Sequence, residues 1–80
     1  MKQNRRMPIG RMSRLTGVSE SKLRYYDEIG LLTAERNEAG CRIYNDEHVD
    51  RLSRIVTLHK LGFGLEKIGE MPEHPDFDFG

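Results

Sequence analysis

The chain has 80 residues, one cysteine and no long apolar run, with thirteen Lys and Arg against thirteen Asp and Glu. That length fits one small domain, a single cysteine excludes an internal disulfide and suits a reducing, cytoplasmic setting, and no stretch is apolar enough for a membrane-spanning helix. The zero net charge hides an uneven distribution: residues 1–44 hold nine cations and five anions, whereas residues 45–80 hold four cations and eight anions. The basic first half points to a polyanionic partner.

Residues 1–7, with Lys2, Arg5 and Arg6, are expected to form a basic arm that lacks the apolar core of a signal peptide. Ile9, Met12 and Leu15 recur at helical spacing and predict a first helix over about 9–15, with Pro8 suited to its first turn. Gly17 allows the backbone to turn, and Ser19 is placed to cap a second helix over about 20–29, with Glu20 favourable near its N-terminus. Leu23, Tyr26 and Ile29 are expected to share its inward face, leaving Ser21, Lys22, Arg24 and Tyr25 outside. Gly30 suits the left-handed residue that ends this helix, and Leu31 and Leu32 should return to the core.

The stretch 33–44 reads as a two-stranded ribbon with its turn at Glu38-Ala39-Gly40 and with Arg36 and Arg42 flanking that turn. Cys41 is expected to be a small half-buried side chain. Asn45 is a good cap for a third and longest helix over about 46–61, whose Val49, Leu52, Ile55, Val56 and Leu58 should form the spine of the core. Gly62-Phe63-Gly64 breaks the pattern, and 65–71 predicts a short fourth helix with Leu65, Ile68 and Met71 inward and Pro72 at its end. The acidic stretch 72–80 is expected to be disordered or loosely docked.

Helix, short turn, helix is the helix-turn-helix arrangement, whose second helix is the usual reader of the DNA major groove. Cations, hydroxyls and a tyrosine on one outward face are the groups that reach phosphates and base edges. The plain alternative is an ordinary solvated face beside a surface hairpin. No metal site is expected, because Cys41, His48, His59 and His74 are scattered. No nucleophile–base set or phosphate loop is visible, so neither enzymatic activity nor a cofactor is expected.

Ile9-Gly10, Leu15-Thr16-Gly17-Val18-Ser19 and the run from Leu23 through Arg24-Tyr25-Tyr26-Asp27-Glu28-Ile29-Gly30 to Leu31-Leu32 resemble the MerR family of bacterial transcription regulators. The likeness continues through Arg36, Gly40, Arg42, Tyr44, Asp46, Leu61-Gly62-Phe63 and Leu65-Glu66-Lys67-Ile68. It implies a mainly α winged helix-turn-helix, about four helices with a short two-stranded β wing, occupying residues 8–71. It also implies that Arg24, Tyr25 and Tyr26 contact bases or phosphates and that Arg36 and Arg42 contact the backbone from the wing. His59 lies where many members have a basic residue facing phosphate. The full candidate set for double-stranded DNA is Arg14, Ser19, Ser21, Lys22, Arg24, Tyr25, Tyr26, Arg36, Arg42, Tyr44 and His59.

The resemblance further implies a nucleoid-associated regulator that acts on promoter DNA together with RNA polymerase, as a homodimer in full-length members. The dimerisation helix and effector region of that family would follow residue 71, where this sequence has only 72–80, so no signal-binding site is expected. On this sequence alone the molecule would act as a DNA-binding domain, as a monomer or as a cooperative assembly on DNA. Two other readings stay open: an architectural, excisionase-like DNA-binding factor, and a protein-interaction module on the same fold.

Overall fold

The computed structural model describes residues 5–71; the expected tail at 72–80 and the first four residues of the expected arm lie outside them. Among the described residues the helical periodicities become α1 (Ile9–Thr16), α2 (Glu20–Glu28), α3 (Asp46–Lys60) and α4 (Leu65–Glu70). Three short strands, β1 (Met7–Pro8), β2 (Glu35–Arg36) and β3 (Arg42–Tyr44), form an antiparallel sheet in the order β1-β3-β2.

Local chemistry sets the helix ends. Pro8 is extended at the start of α1, and Gly17, at φ +77°, ends it by donating its N–H to the Ser13 carbonyl at 2.8 Å. The Thr16 hydroxyl donates to the Met12 carbonyl at 2.8 Å and accepts the Val18 N–H at 3.2 Å, which fixes the turn between α1 and α2. Ser19 then caps α2, its Oγ accepting the Lys22 N–H at 3.1 Å. Gly30, also at φ +77°, turns the chain out of α2 and directs Leu32 into the core.

The ribbon is organised by a residue before its turn. The Asn37 side-chain oxygen accepts the N–H groups of Ala39 and Cys41 at 3.0 and 2.9 Å, and Gly40 adopts φ +83°. Cys41 is exposed rather than half-buried, because it leaves this turn before β3 begins.

The expected free arm is anchored at its last residue. Met7 pairs with Tyr44 and Pro8 with Ile43, so a third strand occupies the second edge of β3. Met7 is buried, which holds β1 in place, and Pro8, having no N–H to donate, suits an edge strand. Arg5 and Arg6 form ion pairs with Asp46 at 3.6 Å and Glu35 at 3.2 Å.

Met12, Leu23, Leu32, Tyr44 and Leu52 are fully buried at the centre of the core. Two expected core residues lie outside it. Leu15 is 53% exposed, at the last turn of α1, where it edges a cleft of about 530 Å³ against Val49 and Val56 of α3. Ile29 is 45% exposed, because the helical period ends at Glu28 and Ile29 has already left helical geometry. The third helix does serve as the spine: it buries Leu52 and Ile55 and packs Val49, Val56 and Leu58 against the same cluster.

Candidate nucleic-acid interface

The inward side of α2 is closed by Leu23 and Tyr26, so its register leaves Ser21, Lys22, Arg24 and Tyr25 exposed on the other side. Tyr25 is half exposed, and its ring lies 6.3 Å from that of Tyr26, centroid to centroid. Arg24 Nη2 donates to Glu20 Oε1 one helical turn earlier, at 3.1 Å. Both side chains of that pair are about half exposed, so water competes with it and its contribution is small. Ser19 is exposed, but its Oγ is committed to the helix cap.

The wing contributes the second pair of cations. The register of β2 and β3 sets Arg36 directly opposite Arg42, an arrangement that repels in a sheet unless a counter-charge is supplied. Asp27 of α2 supplies it. A single carboxylate oxygen, Oδ2, accepts from Arg42 Nε at 2.7 Å and from Arg36 Nη2 at 3.4 Å. Arg36 Nη1 also donates to the Gly40 carbonyl at 3.1 Å. The Asp27 side chain is only 9% exposed, whereas Arg36 is half exposed. Helix α2 and the β2–β3 ribbon are therefore joined through one nearly buried anion that is shared by two cations.

Two tyrosines of the candidate set are placed inward. Tyr26 is buried, its ring against the core. Tyr44 is a correction to the candidate set: it is 0% exposed, because it shares a face of β3 with Arg42, which is turned toward Asp27, and its ring packs edge-on against that of His48 at 5.4 Å. Its hydroxyl has no hydrogen-bond partner among the described residues. Burial raises the pKa of both hydroxyls above the ordinary tyrosine value. For Tyr44 the nearby Asp27 charge raises it further, while Arg42, Arg24 and Arg36 act in the opposite direction.

Arg14 and His59 stand on other elements. Arg14 is exposed in the last turn of α1. His59 is exposed near the end of α3, its Nδ1 within 3.2 Å of the Phe63 carbonyl, to which it can donate. Asp27, Asn37 and His48 were missed as organising residues. The signal for His48 was its place three residues after Asn45. Its Nδ1 accepts the Asn45 N–H at 2.9 Å while the Asn45 side chain accepts the His48 N–H at 3.1 Å, a reciprocal capping box. The Nε2–H then donates to the Thr33 carbonyl at 3.0 Å. No group of three or more His, Cys, Asp or Glu among the described residues is placed to hold a metal ion.

Comparison with known proteins supports the same architecture. The family described as MerR HTH family regulatory protein matches residues 7–74. The HTH-type transcriptional activator mta of Bacillus subtilis (strain 168) is 38% identical over 71 residues, covering 88% of this chain and 28% of that protein. The mercuric resistance operon regulatory protein of Bacillus cereus is 39% identical over 64 residues, covering 79% of this chain and 48% of that protein. The chain thus spans less than half the length of these relatives. Among solved structures, the N-terminus of MtaN, the Bacillus subtilis multidrug transporter activator, matches with a TM-score of 0.81 and 36% identity over 91% of this chain and 70% of that one. HiNmlR, described as a MerR family regulator lacking the sensor domain and bound to promoter DNA, matches with a TM-score of 0.73 and 31% identity over 80% of this chain and 49% of that one.

Proposed function

This chain belongs to the MerR HTH family, and on that premise we propose that it is a DNA-binding transcriptional regulator, or the DNA-binding part of one. In this reading α2 enters the major groove of promoter DNA. Arg24 and Tyr25 face base edges, and Ser21 and Lys22 reach the flanking phosphates. Arg36 and Arg42 meet the backbone from the wing, with Arg14 and His59 as outlying phosphate contacts. Ser19 and Tyr26 act mainly by holding α2, and Tyr44 by holding β3.

The observation that carries the reading is the junction at Asp27, which places the wing cations beside the exposed face of α2. The promoter-bound state of the related HiNmlR supports the same use of the fold. Action in the cytoplasm on nucleoid DNA, contact with RNA polymerase, and homodimer formation where a longer chain supplies a dimerisation helix belong to the same proposal. Without such a helix the chain binds as a monomer or cooperatively along DNA.

The direct test is a titration of isotope-labelled protein with a mixed-sequence DNA duplex, followed through backbone amide shifts. Shifts concentrated at 19–26 and 36–44 that fade with added salt are the expected result. Silence there, with residues 45–71 responding only to a protein partner, would overturn it. Arg42→Ala should lower affinity for all duplexes alike and reduce the salt slope by about one unit.

A further inference from the structure

We propose that Asp27 is a positioning residue that holds the wing against the recognition helix and, as a counter-charge, cuts the net charge the wing offers to DNA phosphates from two to one. The inference rests on the DNA-binding reading and deepens it. Its observation is one carboxylate oxygen, almost out of solvent, shared by two guanidinium groups at 2.7 and 3.4 Å. The three side chains together present one net positive charge instead of two.

Unselected DNA offers this face chiefly phosphates, and its binding strength follows the number of cations free to neutralise them. Each cation held internally therefore weakens non-specific binding directly. A duplex that also satisfies Arg24 and Tyr25 at base edges gains contacts independent of that cation. The internal carboxylate consequently lowers the electrostatic part of binding that all duplexes share, and leaves discrimination between them to the base-edge contacts.

The two carboxylates near the interface differ in this respect. Glu20 pairs with Arg24 at 3.1 Å, but both partners are about half exposed and a phosphate can readily replace it. Asp27 is held by β2 and β3 from one side and by its own helix from the other. It stays with Arg42 Nε when DNA arrives, leaving the terminal nitrogens of Arg42 for phosphate. Asp27 is thus a positioning residue as well as a counter-charge.

The test measures binding of wild type, Asp27→Asn, Asp27→Glu and Glu47→Gln to a short labelled duplex of mixed sequence across a salt series. Glu47 is exposed in the first turn of α3 and gives the same change in net charge without being paired to Arg36 or Arg42. Asp27→Asn should bind more tightly at low salt and steepen the salt slope by about one unit. Its loss of affinity between roughly 50 and 200 mM salt then grows by a further factor of about three. Asp27→Glu should keep the wild-type slope, and Glu47→Gln should stay near it. An unchanged or shallower slope for Asp27→Asn, or equal steepening by Glu47→Gln, would overturn the proposal.

A second measurement uses wild type alone. Hydrogen exchange at Arg42 Nε–H should be slower than at the exposed Arg11, and should remain slow with duplex bound. Equal rates would overturn the proposal even if Asp27→Asn fails to fold. Wild type that binds no duplex at low salt would remove the DNA-binding reading itself. Wild type that binds normally, with Asp27→Asn unchanged, would remove only the role of Asp27.

Discussion

Helices α2 and α3 are both opened by a polar cap, yet they spend their side chains in opposite ways. The shorter α2 buries Leu23 and Tyr26 and turns a tyrosine, two cations and a serine outward. The longer α3 buries Leu52, Ile55 and His48, with Val49, Val56 and Leu58 partly covered against the core. The difference separates two kinds of dependence. On the proposed function, substitutions on α3 should act on whether the domain folds, whereas those on the outer face of α2 should act on what the folded domain binds.

The comparison can be broken first at Leu52. Leu52→Ala removes a fully buried side chain and should destabilise the domain by about 2–5 kcal/mol, enough to unfold a large share of so small a domain. Thermal or denaturant unfolding reads this directly, and a mild effect would show that α3 is not the spine. Next in size is Arg24→Ala, expected to lose about 1–3 kcal/mol of discrimination between preferred and random duplexes while the unfolding midpoint barely moves. Wild-type binding to a duplex selected from a random pool would displace Arg24 from the reading face.

Asn45→Ala sharpens the contrast, because it removes the reciprocal cap of α3 and should lower stability by about 1 kcal/mol without altering preference among duplexes. The smallest effect is expected at Tyr44→Phe. Its hydroxyl has no hydrogen-bond partner among the described residues, so the neutral-pH change should stay within about 1 kcal/mol, and duplex affinity should not change. Alkaline pH separates the two proteins. The folded-state pKa of Tyr44 is raised, so its contribution to stability is complete below the ordinary tyrosine value of 10.0 and is lost as pH rises beyond it. An unfolding series at increasing pH should therefore show wild type losing more stability than Tyr44→Phe above pH 10.0. A Tyr44→Phe variant that loses duplex affinity would return this residue to the binding surface.

Much of this division was legible in the sequence where a local rule acts on few atoms. Ser19, Gly17, Gly30 and Asn45 mark helix ends through their own backbone and side-chain chemistry, and all four do so in the structure. The helix-turn-helix and the paired Arg36 and Arg42 followed from spacing. What escaped depends on distant partners. Met7–Pro8 is too short to carry a strand pattern, and its pairing is decided by β3, far along the chain. Asp27 reads as one more surface acid until the wing brings two arginines to it. Leu15 and Ile29 were placed inward by a period that continues past the point where each helix still faces the core. Tyr44 entered the candidate set through its place in the family resemblance, whereas its burial depends on the His48 ring, which α3 brings against it.

The pairing of Met7 with Tyr44 also sets an order in time. As the chain is synthesised from its N-terminus, α1 and α2 emerge well before β3 exists, and β1 has no partner until residue 44 has been made. Closing the loop between those two strands carries an entropic cost that is met only once β3 and the core beneath it can form. The helix-turn-helix is therefore not a detachable peptide: cut free of the wing, it would lose the strand that fixes its entry and the Tyr44 ring that fills its core.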